Sequence, residues 1–237
     1  MESEPLLPHD DYAKEHKRQV RLGFVRKVMG IVSAQVIFTV AIVYLILTLD
    51  KTSELSNNPL LIIPAFIGYI FIACALICCK SIARKVPTNF ILLFTLTACL
   101  SFILAFICEF YTTWSLINAL IITVFVTVGL TAFTLVYKVK MTYIVGGIVV
   151  VILGLITTLV LFFGNYVLTG TLPSGLLYFY YFLGVLLYGL FLVFDVKRLT
   201  KKKYGLDVDD YVFAALMIYL DIVNLFLEIL KLVGQKK

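Results

Sequence analysis

Seven apolar stretches, each about 20 residues long, occupy this chain from residue 29 onwards, and that is the length a helix needs to cross a bilayer. They cover residues 29–49, 59–79, 88–108, 114–137, 142–163, 174–194 and 211–230. The runs are continuous rather than alternating, which argues against a β-barrel. Only 14% of the 237 residues are charged and 62% are hydrophobic, whereas a soluble domain carries about a quarter charged residues. The solvent for most of the chain is therefore lipid. The expectation is an all-α integral membrane protein, a seven-helix transmembrane bundle over residues 29–237, preceded by a cytoplasmic N-terminal tail over 1–28. The tail is polar, so the first apolar run reads as an uncleaved anchor.

Basic residues fix the expected orientation. The tail holds six Lys and Arg. Successive connections then hold one (Lys51), three (Lys80, Arg84, Lys85), none, two (Lys138, Lys140), none and five (Lys197, Arg198, Lys201, Lys202, Lys203). Alternate connections share one side, giving sixteen basic residues against one (6 + 3 + 2 + 5 against Lys51). Cytoplasmic loops carry the excess, so the N-terminus is expected inside. The net charge of +6 reflects these edges rather than a nucleic-acid surface. The last run breaks the pattern, because Lys231, Lys236 and Lys237 follow it. It is expected at the centre of the bundle, and either it spans or it re-enters and returns those lysines to the cytoplasm.

Asp221 lies midway along that last run. A carboxyl at the bilayer centre costs at least about 2.5–3.5 kcal/mol, so it is expected to face the bundle interior. At 100° per residue, Asp210 and Glu228 return to within about 20° of it, and Ala214, Met217 and Asn224 fall near the same line. Such a stripe suits the wall of a cation path. The plainer reading makes Asp210 a helix cap and Glu228 an interfacial group. Asp195 is the natural partner. A turn centred near residue 208 would bring Asp195 and Asp221 to equal depth on antiparallel helices, provided the sixth helix continues through the basic run. Two carboxyls in a low-dielectric setting tend to share one proton, which makes a pH-sensitive latch. The alternative for Asp195 is an interfacial pair with Lys197 or Arg198. Asp50, Glu54 and Glu109 read as solvated caps that together make a mildly acidic mouth on the far side.

Metal chemistry has little support. Both histidines, His9 and His16, sit in the tail, so no His and carboxylate set lies within the apolar runs for an intramembrane hydrolase. The five cysteines (Cys74, Cys78, Cys79, Cys99 and Cys108) read as small apolar packing residues. No enzyme activity and no cofactor are expected.

Residues 209–234 read DDYVFAALMIYLDIVNLFLEILKLVG. This closely resembles the last helix of the transmembrane Bax inhibitor motif (Bax inhibitor-1/lifeguard) family. Phe194-Asp195 resembles that family's Tyr-Asp at the end of the sixth helix. Phe24-Val25-Arg26-Lys27-Val28 with Gln35 and Thr39 resembles its opening into the first helix, and Pro87-Thr88-Asn89-Phe90 its third. The short tail and compact length look most like the Golgi anti-apoptotic protein branch. The resemblance implies a seven-helix bundle in Golgi or endoplasmic reticulum membranes, calcium leak from stores and suppression of apoptosis. It makes Asp195 and Asp221 the aspartate dyad, and Asp209 or Asp210 a pore candidate. The chain departs from the pattern at Phe194, Val196 and Lys197, and no arginine is expected inside a helix to act as a locking partner.

The expected function is therefore a store-membrane cation (Ca2+) leak channel, pH-sensitive through the aspartate pair, that suppresses apoptosis. A non-conducting anti-apoptotic interaction protein and a proton-coupled cation exchanger are the alternatives. Expected partners are membrane lipids, permeant calcium or other cations, and further copies or other membrane proteins, with no nucleic acid.

Overall fold

The computed structural model describes residues 9–49, 60, 62–79, 83–137, 140–169, 174–200, 207 and 209–237. Among them are seven helices: α1 His9–Leu49, α2 Ile62–Cys78, α3 Thr88–Glu109, α4 Thr113–Val136, α5 Met141–Thr169, α6 Ser174–Thr200 and α7 Tyr211–Val233. Five are long and apolar enough to cross a membrane, and the apolar stretches Ile62–Cys78 and Met141–Ile156 are shorter. This is the all-α transmembrane bundle expected from the seven runs.

α7 is the core. It packs against α6, α1, α4 and α3. In its most apolar window 56% of the residues are buried, against 33% or less in the other four long helices, so the rest of the bundle is built around it. α2 lies on α3 and α5 on α6 at the periphery. Their outer faces carry exposed side chains such as Phe71 and Val150, which is what a lipid solvent allows. Hydroxyls inside the apolar helices are satisfied locally. Thr97, Thr123, Thr134 and Thr158 each donate to the carbonyl four residues earlier.

α1 starts at His9, well before the apolar run that begins at Met29. Residues 13–19 are mostly good helix formers, so nothing stops the helix at the apolar boundary. The polar part is docked as well. The Arg21 guanidinium donates to the Leu199 and Arg198 carbonyls near the end of α6, and Phe24 and Val28 are in the core.

The sequence left open whether the last helix crosses fully. Its start is held by Arg84, which precedes α3: the guanidinium lies 2.7 Å from Asp210 and 3.5 Å from Asp207. Its far end lies beside the connection that follows α3. There Tyr111 and Lys236 form an antiparallel bridge, Thr112 N–H donates to the Gln235 carbonyl and Lys237 N–H donates to that of Phe110. α7 therefore runs unbroken beside α3, in the same direction, from one end of the bundle to the other. It does not re-enter. Lys51, Asp50 and Glu54 lie outside the described residues, as do Lys80, Lys138 and Lys201, Lys202 and Lys203.

Candidate functional site

The α6 helix continues past its apolar part to Thr200, as the equal-depth argument required. Two neighbours hold this extension. Arg21 binds its terminal carbonyls, and Lys197 turns inward. The Lys197 ammonium is buried and donates to the carbonyls of Tyr137 (3.1 Å) and Thr134 (3.5 Å), the last turn of α4. A cation on a helix C-terminus satisfies orphan carbonyls and complements the dipole. With the extension fixed, Asp195 is 6% exposed and Asp221, on the facing turn of α7, is 8% exposed. Their carboxyl groups meet within hydrogen-bonding reach across the α6–α7 seam. Asp195 also accepts from the Arg198 guanidinium at 3.3 Å, one turn along its own helix. One oxygen of Asp221, Oδ2, is buried with no hydrogen-bond partner among the described residues.

Asp195 is thus paired with Arg198 and also faces Asp221, and it is buried rather than interfacial. Arg198 lies outside the apolar run in sequence, yet inside α6 in space. A guanidinium does reach the dyad from within a helix, contrary to the sequence-based expectation.

The acidic stripe divides along its length. Glu228 lies on the same seam, two turns beyond Asp221. Its Oε1 is 2.7 Å from the Lys231 ammonium. Its Oε2 is buried without a hydrogen-bond partner among the described residues and comes against Gly184 of α6, only 2.9 Å from where a Cβ would stand. Gly184 is what allows a carboxyl to enter the seam at that level. Asn224 between them is half-buried and donates to the Leu220 carbonyl of its own helix. Asp210 occupies the N-cap position of α7, but its side chain makes no cap bond. It goes instead to Arg84 and to the Asp207 N–H, because a guanidinium offers a stronger, charge-assisted partner. Asp209 beside it is exposed. The fold therefore gathers Asp195, Asp221, Asn224 and Glu228 along one seam and leaves Asp209 and Asp210 at the Arg84 end.

Residues 21–237 match the model of the family described as inhibitor of apoptosis-promoting Bax1. The chain belongs to that family. It is 33% identical to human protein lifeguard 3 over 92% of its own length and 70% of the relative's. Mouse protein lifeguard 4 is also 33% identical, over 90% of this chain and 84% of the relative. As a member of the Bax inhibitor family, the chain is an anti-apoptotic multi-pass membrane protein.

This Bax inhibitor family member carries a second polar cluster on the opposite face of α7. The Tyr219 hydroxyl is fully buried and 2.7 Å from Thr39 of α1. One turn away along α1, Gln35 donates to Thr97 of α3 at 3.0 Å. Nearer the Arg84 end, buried Asn89 of α3 donates to Tyr211 at 3.3 Å. Gln35, Thr39 and Asn89 entered the sequence reading only through the resemblance, and their bonding to α7 and α3 was not foreseen. Lys231 and Gly184 were missed as contributors to the seam, as was the donation of Lys197 to the carbonyls of α4. For Lys231 the signal was available: it stands three residues after Glu228, the spacing of neighbours on a helix.

Proposed function

We propose that this protein is a cation leak channel of Golgi or endoplasmic reticulum membranes, with calcium as the permeant ion. Lowering stored calcium is then the route by which it suppresses apoptosis. The observation that carries this reading is the meeting of Asp195 and Asp221 in a buried seam between two helices. Buried ionisable groups in a membrane interior are expensive and mark ion or proton pathways. A proton shared by the pair holds α6 to α7. When the proton leaves, two carboxylates face each other in a poorly screened setting and push the helices apart. The seam so opened is lined by Asp221, Asn224 and Glu228. Flux accordingly rises as pH rises. The Lys231 ammonium, 2.7 Å from Glu228, supports the reading that this end of the path is closed until the helices part.

The basic connections orient the channel with the N-terminus and the Arg84 end in the cytoplasm, and with the C-terminal bridge in the lumen. The test is calcium flux from proteoliposomes across pH, comparing the native chain with Asp221→Asn and Asp195→Asn. Unchanged flux and unchanged pH profile in both variants would remove the dyad mechanism. Protection from cell death that survives in variants lacking flux would favour the non-conducting interaction reading. Calcium flux that drives proton movement the other way would favour the exchanger.

A further inference from the structure

The cysteines do not behave as one class. Cys108 is buried in the core beside α7, and Cys99 is half-buried, its sulfur close to Gly68 of α2. These two fit the packing reading. Cys74, Cys78 and Cys79 are exposed, which overturns it for them. Ile67, Phe71, Cys74 and Cys78 follow one another at intervals of four, three and four residues, so they form one stripe along α2. All four are exposed, with Phe71 75% exposed and Ile67 61% exposed. In a membrane this stripe is the lipid-facing one. Cys78 is the last residue of α2 and Cys79 follows it. The Cys79 N–H still bonds the Ala75 carbonyl, while its own carbonyl accepts from Ala83 N–H. The pair thus sits at the mouth of the α2–α3 connection, which carries the exposed Arg84 and Lys85.

We propose that Cys78 and Cys79 are sites of S-acylation by a long-chain fatty acyl group. The chemistry asks for a thiol at the membrane–water boundary, next to lipid rather than protein, with cations nearby. Only a boundary thiol meets water to become a thiolate while its product chain enters lipid. The neighbouring cations attract both anionic headgroups and an anionic acyl donor. The donor is a long-chain acyl-coenzyme A. The cysteine thiolate attacks its carbonyl carbon and a new C–S bond forms. The coenzyme's own C–S bond breaks, and the departing coenzyme A thiolate takes up the proton that the cysteine gave up. No oxidant or reductant enters. The acyl chain then lies along the stripe past Cys74, Phe71 and Ile67. Cys74 itself is one turn, about 6 Å, deeper in the lipid and away from water.

This assignment rests on the cytoplasmic placement of the Arg84 end proposed above, where acyl-coenzyme A is found. The experiment uses the full chain in mammalian cell membranes. Thiols are reduced and blocked, thioesters are cleaved with neutral hydroxylamine, and the released thiols are tagged with a polyethylene glycol maleimide. The expected result is two hydroxylamine-dependent mass steps in the native chain. One step remains in Cys78→Ser or Cys79→Ser, and none in the double variant. Cys74→Ser, Cys99→Ser and Cys108→Ser keep both. The double alanine variant, with unchanged thermal unfolding, separates lost acylation from lost folding. No hydroxylamine-dependent step in the native chain overturns the proposal, as does a step that survives in the double variant. A separate arm applies an impermeant maleimide after hydroxylamine treatment in cells whose plasma membrane alone is permeabilised. Labelling there supports the orientation independently of whether acyl groups were present.

Discussion

The two faces of α7 are held by different chemistry. Towards α1 the contact is neutral: Tyr219 bonds Thr39, beside the Gln35–Thr97 bond that ties α1 to α3. Towards α6 the contacts are carboxyls: Asp221 against Asp195, and Glu228 against Gly184. Tyr219 and Asp221 are two residues apart, so about 200° of helical rotation separates them. Hydroxyls and amides keep the same charge across physiological pH, whereas carboxyls in a shared site exchange protons. On the proposed mechanism one face is a fixed attachment and the other a releasable one, so that α7 swings rather than detaches.

Breaking the carboxyl face gives the largest effect. A one-proton gate can change flux by up to about tenfold per pH unit, and Asp221→Asn should flatten that slope. Tyr219→Phe should keep the slope in the same proteoliposome assay. A flat profile in Tyr219→Phe would end the distinction between the faces. Next in size is Lys197→Met, which leaves the end of α4 without its buried donor and frees the extension of α6. The expected cost is about 1–3 kcal/mol, read as a lower unfolding midpoint in detergent. A smaller change follows from Tyr219→Phe combined with Thr39→Val. Their coupling energy should be about 0.6 kcal/mol in a double-mutant cycle, the average for hydrogen bonds between membrane helices. Smallest is Arg84→Gln. Its ion pair with Asp210 is partly open to water, so the loss should show at low ionic strength and disappear as salt is added.

Helix existence was legible because lipid imposes a length and a composition on every segment. The pairing of Asp195 with Asp221 was legible because a short turn between antiparallel helices fixes which residues share a depth. What was not legible depends on groups outside the apolar runs. Hydropathy stops α1 at Met29, but the backbone has no reason to stop there, and Arg21 then finds the carbonyls of α6. Lys197 reads as one more cytoplasmic charge until α4 supplies it with carbonyls. The crossing of α7 was ambiguous because Lys231, Lys236 and Lys237 contradict the charge rule at its end. Lys231 is explained by Glu228, and residues 235–237 by backbone pairing with residues 110–112, a contact with no side-chain signature.

The position of α7 has a consequence for biosynthesis. The helix around which the others are arranged is the last of the seven in chain order, so it is made after the other six. Until it is made, the surfaces of α1, α3, α4 and α6 that pack against it have no partner there. Gln35, Thr39, Thr97 and Ser101 then lie in the membrane without the partner helix that covers them, and Asp195 has only Arg198. A chain cut short before Tyr211 would display these polar groups to lipid or to membrane quality control, however well its other helices had inserted.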